Sequence, residues 1–340
     1  MNLPTAVRTV RWMVRDTVRQ SLATKLFWVM LAATAAVTAL CLGARVENDL
    51  PPLTSDGDIP AILPATEAEK IGRDKVKADG VRVIETDPDK RPRLTLAFGA
   101  VVVPIARDRT DAVRHLQVML AGLLADTAGV LLALLWTAGF LPNFLEPQSA
   151  TVLLAKPAPR WAILLGKYLG VVGFVFVQAV LFVGCTWAAL GIATGVWANA
   201  YWLAVPLLVI NFGVFYSVSA FLAVCTRSTV AAAFGTFLFW AVCWGMNYAH
   251  HRYALLPPDG VTALSSWLLD VGYWVLPKPL DLSGVFFGAM QADGFAAAVP
   301  ELKAVQSAGQ FHPEAAVFTS MGFAAVTLGL AGYELEMTDY

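Results

Sequence analysis

Charge is what this chain lacks. Of its 340 residues only 14% are Asp, Glu, Lys or Arg, while 57% are hydrophobic and the mean hydropathy is +0.62. A typical soluble domain carries about 25% charged residues. A soluble protein of this length would bury a large core and still need a charged shell, and there are too few charges here to make one. The surplus apolar surface requires lipid, so the chain reads as a polytopic membrane protein. That excludes a secreted disulfide scaffold, a disordered tail and a soluble enzyme. With 24 Lys and Arg against 25 Asp and Glu the net charge is −1, so no domain-wide basic field exists to attract nucleic acid.

Catalytic and metal-binding patterns are missing as well. The four cysteines (Cys41, Cys185, Cys225 and Cys243) are scattered through apolar runs with no CxxC pair, which reads as small core thiols. There is no HExxH and no GxSxG. Gly166-Lys167 has the look of a phosphate loop, but that motif needs a glycine five positions before its last glycine and Ser or Thr after the lysine. Trp161 and Tyr168 stand in those places. His250 and His251 are adjacent, so on a helix they point about 100° apart and no metal site is expected. His115 and His312 are lone. No cofactor is expected.

What is present is a set of apolar runs near the 20 residues needed to cross the hydrocarbon core. The fold class expected is an all-α polytopic membrane protein with six spans, at 24–43, 116–141, 166–193, 200–225, 229–249 and 315–333. From Tyr168 to Thr226 there is no Asp, Glu, Lys or Arg, and these 59 residues are enough for two spans with a turn near Gly195. The run Leu26–Gly43 is longer than a signal-peptide core and is kept as the first span.

Two regions are not membrane. Residues 44–115 hold 25 of the chain's 49 charges and read as an extracytoplasmic insertion. Strand signals at Val81–Ile84 and Leu94–Ile105, with Asp87–Lys90 as turn chemistry, predict a small β-hairpin. Residues 250–314 form a second outer loop, with an interfacial amphipathic helix near Ser265–Leu276. The pieces left for the inner side are residues 1–23, the loop 142–165 and the tail 334–340. Short-loop basic residues favour cytoplasmic N- and C-termini. Within 1–23, Val7, Val10, Val14, Val18 and Leu22 form one helical stripe. Arg8, Arg11, Arg15 and Arg19 form another roughly 90° away, as in a helix lying among anionic headgroups. Asp126 is the one acidic residue inside an expected span. It is read either as a polar intramembrane site, as such charges are costly at bilayer depth, or as the edge of a span that starts later.

The segment between spans two and three is the most informative. Glu146 precedes Leu153-Leu154-Ala155-Lys156-Pro157-Ala158-Pro159-Arg160, and Gly166-Lys167-Tyr168 opens the next helix. Pro157 and Pro159 stop one helix and fix an extended turn, giving a rigid basic knob suited to docking a soluble partner. This segment resembles the ABC-2-type permeases, which show an acidic residue, Leu-Leu-x-Lys-Pro, an Arg three residues past the Pro, and Gly-Lys-Tyr. Pro147-Gln148-Ser149 departs from the Arg-Gly-Thr that often follows the acidic residue in those proteins.

The resemblance implies a transport subunit with no ATPase of its own, an exporter rather than an importer, in a bacterial-type plasma membrane. It would form a homodimer, or a heterodimer with a second permease, and would work with a separate ABC ATP-binding subunit. Glu146, Lys156, Pro157, Arg160 and Lys167 would then be the coupling residues. A different class shares the topology: a membrane anchor that displays 44–115 outside and transports nothing.

Overall fold

The computed structural model describes residues 3–47, 62–64, 82–84, 93–99, 101–104, 109–122, 128–142, 159–255, 263–290 and 311–337. The chain opens with helix α1 (Leu3–Ala23) and helix α2 (Lys25–Leu42). The two are bent by 68° at Thr24, whose backbone is extended and whose hydroxyl donates to the Ser21 carbonyl at 2.6 Å. The bend coincides with the change from an arginine-bearing sequence to one that is mostly apolar after Lys25.

Five short strands follow: β1 (Arg45–Glu47), β2 (Ile62–Pro64), β3 (Arg82–Ile84), β4 (Arg93–Leu96) and β5 (Val101–Pro104). Strands β1, β4 and β5 form an antiparallel sheet in that order, with Val46 opposite Leu94 and Leu94 opposite Val103. β2 and β3 pair in parallel. The hairpin therefore lies elsewhere than expected. It folds within 93–104, and 82–84 pairs with 62–64 rather than across Asp87–Lys90. The turn is made by Ala97, Phe98 and Gly99, all with positive φ, so a β-rich run long enough to fold on itself does so around its own glycine.

Helices α3 (Arg109–Ala121) and α4 (Ala128–Thr137) lead to α5 (Arg160–Thr194). At 35 residues, α5 is about 52 Å long and extends well past a hydrocarbon core about 30 Å thick. It closes on Gly195, left-handed at φ 77°, whose N–H donates to the Gly191 carbonyl at 2.9 Å. A 3₁₀ turn (Asn199–Leu203) enters α6 (Ala204–Thr226), followed by α7 (Thr229–Leu255), α8 (Ala263–Val275), α9 (Pro279–Ala289) and α10 (Pro313–Met337).

The protein is mostly helical, with a small sheet. Among the described residues, four helices are long and apolar enough to cross a membrane: Arg160–Thr194, Asn199–Thr226, Thr229–Tyr253 and Pro313–Met337. A fifth is added if α1 and α2 count as one bent span. The expected span at 24–43 coincides with the 18-residue α2. The one at 116–141 coincides with the end of α3 and with α4. α6 is the core of the bundle, packed by α4, α5, α7 and α10. Its Phe212, Phe215 and Tyr216 are fully buried, which is why this helix is apolar on every face.

The bundle has two unlike ends. One gathers α1, the first turns of α5 and the last turn of α10. The other gathers the sheet, α3, α8 and α9, with Leu96 and Val113 packed near Ala189 and Leu190 of α5.

Candidate functional site

The first end is built around residues 160–170. Pro159, which has no N–H to give, precedes the first turn of α5. Arg160 Nη1 donates to the carbonyls of Leu335 at 3.1 Å and Glu336 at 3.4 Å. A cation thus sits on the carboxyl end of α10, where unsatisfied carbonyls concentrate negative potential. Two turns on, Gly166 and Gly170 face α1. A Cβ on Gly166 would lie 2.6 Å from Met13 Cβ, and one on Gly170 2.7 Å from Thr17 Cβ. Only glycine permits this approach.

Between the glycines, Lys167 is 2% exposed. Its Nζ donates to Asp16 Oδ2 at 3.3 Å and to Gln20 Oε1 at 2.9 Å. Asp16 and Gln20 are four residues apart on α1, so both reach the same ammonium. Lys167, expected as a coupling residue, is enclosed between two helices. A buried ammonium needs a counter-charge and acceptors, and α1 supplies them. Tyr168 turns the other way. Its hydroxyl donates to the Gly213 carbonyl at 2.8 Å and its ring stacks on Tyr216 at 5.6 Å. Four residues near the start of α5 therefore hold three neighbours: Gly166 and Lys167 hold α1, Tyr168 holds α6, and Arg160 holds α10.

Helix α1 has three faces. Ala6, Met13, Thr17 and Ser21 are buried against α5. The Thr17 hydroxyl is satisfied by the Met13 carbonyl at 2.9 Å. Arg8, Arg11, Arg15 and Arg19 are all exposed, roughly opposite by the 3.6-residue period. Val10, Val14 and Val18 are half-buried between them, with Val7 and Leu22 exposed. Asp126, Glu146, Lys156 and Pro157 lie outside the described residues.

The opposite end holds a polar cluster that sequence reasoning missed. Asp281 of α9 is 1% exposed. It accepts hydrogen bonds from Asn247 Nδ2 at 3.1 Å and Tyr273 OH at 2.7 Å, and its Oδ1 meets His251 Nε2. Asn247 Oδ1 in turn accepts from the backbone N–H groups of Leu280 and Asp281, satisfying the start of α9. Lys278 Nζ donates to Thr319 Oγ1 at 2.7 Å, and its N–H donates to Ser320 Oγ. The ammonium also sits 4.7 Å from the Tyr273 ring centroid. Burial pushes Lys278 down to about 8, with nearby Asp281 opposing the shift. The same burial, reinforced by Asp281, pushes Tyr273 well above its ordinary value. His250 diverges from His251, stacking on Tyr273 and pairing with Asp270 at 3.4 Å. The one sequence signal for this cluster was Asp281 itself, a lone carboxylate in an apolar run.

The sequence profile of the ABC-2 family transporter proteins matches residues 12–268. The chain belongs to this family. No curated protein matches the chain. As an ABC-2 family protein it is a membrane component of an ABC transporter, and ATP hydrolysis belongs to separate subunits. The matched stretch takes in most of α1, all of α5 and the Lys167 clasp. The α10 end held by Arg160 falls outside it.

Proposed function

We propose that this protein is the six-span permease subunit of an ATP-driven exporter. In this reading it lies in a bacterial-type plasma membrane with both termini cytoplasmic, and it pairs with itself or with a second permease. Its loop 142–165, carrying Glu146, Lys156 and Pro157, docks on a separate ATP-binding subunit and passes that subunit's motion to the membrane. One observation carries the reading. The helix that leaves this loop is tied within its first three turns to α1, α6 and α10.

A two-state mechanism needs this geometry. Closure of the ATP-binding subunits moves the loop, and the ties convert one displaced helix into a rearranged bundle. A loop joined to a single free helix would dissipate the motion. Arg160 and Lys167 serve the coupling from inside the bundle, while the exposed arginines of α1 hold that helix to anionic lipid. Asp126 is left to a polar role in the second span.

The test is co-purification and ATPase stimulation with the ATP-binding subunit. Charge reversal of Glu146 or Lys156 should abolish both without changing the melting temperature of the membrane part. Unchanged association in both variants would overturn the coupling assignment.

A further inference from the structure

A crevice of about 280 Å³ lies between α2 and α4, floored by α5. Its lining includes Met30, Thr34, Leu132, Trp136, Gln178 and Phe182, and among the described residues none that lines it is charged. Leu132 and Val29 at its rim are well exposed, so it opens sideways from the bundle rather than toward either end. Thr34 and Gln178 sit near the midpoints of α2 and α5, so the crevice lies at mid-height of both helices.

Two polar groups in this apolar space are unmatched. Gln178 is 7% exposed, and its Nε2 donates to Thr34 Oγ1 at 3.2 Å. Gln178 Oε1 and Trp136 Nε1 are buried with no hydrogen-bond partner. An unmatched donor or acceptor away from water is costly, and here the two residues that carry one acceptor and one donor both line the crevice. A hydroxyl supplies what both lack, since it donates to the amide oxygen and accepts from the indole N–H. An apolar cavity of about 150 Å³ holds a benzene ring, so this one admits a body roughly twice that size. A charged headgroup would find no counter-charge among the described lining residues.

We propose that the crevice is a binding site for a neutral, membrane-dissolved molecule with an apolar body and a hydroxyl group, entering from the bilayer between α2 and α4. The proposal needs the chain to span a membrane, but it does not depend on coupling to an ATPase.

The full chain in phosphatidylcholine nanodiscs, without any ATP-binding subunit, is irradiated with a diazirine-bearing long-chain alcohol. Its methyl ether and the parent hydrocarbon serve as comparison probes. The alcohol should label peptides from 25–42, 128–142 and 160–194 saturably. The hydrocarbon should label them about fivefold less, the worth of one net hydrogen bond, and the ether, which cannot donate to Gln178, should fall likewise. Gln178→Leu should remove the preference for the alcohol, and Ala133→Phe should block labelling by filling the crevice. Equal, unsaturable labelling of lipid-facing α7 and α10 by all three probes would overturn the site. So would an undiminished alcohol preference in Gln178→Leu. Labelling of this kind in a chain that binds no ATP-binding subunit in co-purification would count against the permease reading alone.

Discussion

The two ends of this bundle are fastened by different chemistry. Where α7, α8, α9 and α10 meet, Asp281 and His251 are almost wholly enclosed, at 1% and 2% exposure, and every oxygen of the carboxylate is engaged. At the start of α5 the clasp is half wet. Lys167 is buried, but the Asp16 side chain it pairs with is 50% exposed, and the contact rests as much on two missing Cβ atoms as on charge. A dry network with no spare partners tends to break all at once. A hydrated pair over a glycine contact exchanges its hydrogen bonds with water at little cost. One end is suited to hold still while the other changes partners.

Removing the carboxylate at the enclosed end should have the largest effect. Asp281→Ala leaves His251, Asn247 and Tyr273 buried without their shared acceptor, and breaking such a buried pair costs about 3–5 kcal/mol. The melting temperature in mild detergent should fall steeply, with Asp281→Asn intermediate. A melt unchanged by Asp281→Ala would mean that this end is not the fixed one.

At the other end, side chains are more damaging than charge changes. Gly166→Leu or Gly170→Leu would drive a side chain into Met13 or Thr17, and overpacking costs about 1–3 kcal/mol. Relief by lifting α1 away is easier than collapse of the core. The expected outcome is a nearly normal melt, new thiol reactivity at a cysteine placed at Met13, and loss of ATPase coupling. Continued protection of that cysteine would show that α1 does not depend on the glycines.

These contrasts also mark what the sequence could tell. The four longest spans were legible because runs such as Tyr168–Thr226 offer nothing a soluble fold could use. The α1–α5 contact was not. Met13, Thr17 and Ser21 are too mixed to register as a hydrophobic stripe, whereas the valines form one on a neighbouring face. Lys167 could be seen as basic but not as paired, because its counter-ion lies 151 residues earlier in the chain. Asp281 carried a signal, but its donors come from α7 and α8, and only packing brings them together. The hairpin was placed by its most conspicuous turn residues, while the closure used is at Ala97–Gly99.

A gentler perturbation of the enclosed end is pH. Burial holds the Lys278 ammonium at about 8, against an ordinary 10.5. Between those values the unfolded chain keeps the proton and the folded one has released it, so stability rises with pH across that window and is flat below about 8. Tyr273 does not interfere below its ordinary value, since burial keeps its hydroxyl protonated in the fold. The melting temperature should therefore climb between pH 8 and 9.5 in the native chain. It should climb less in Lys278→Met, which has no proton to release. Parallel curves would place the titration elsewhere.

The smallest effect belongs to the clasp charge itself. A pair with one half-exposed partner is worth about 1 kcal/mol or less, so Asp16→Asn should barely move the melt. Lys167→Met should also be mild, because it removes a buried ammonium along with its acceptors, Asp16 and Gln20 being free to turn to water. A double-mutant cycle should give a coupling energy under about 1 kcal/mol. Activity is the sharper readout. If the clasp is remade during each cycle, Asp16→Asn should lower ATPase coupling out of proportion to its effect on stability. A coupling energy several times larger would instead make this end as rigid as the other and remove the contrast between them.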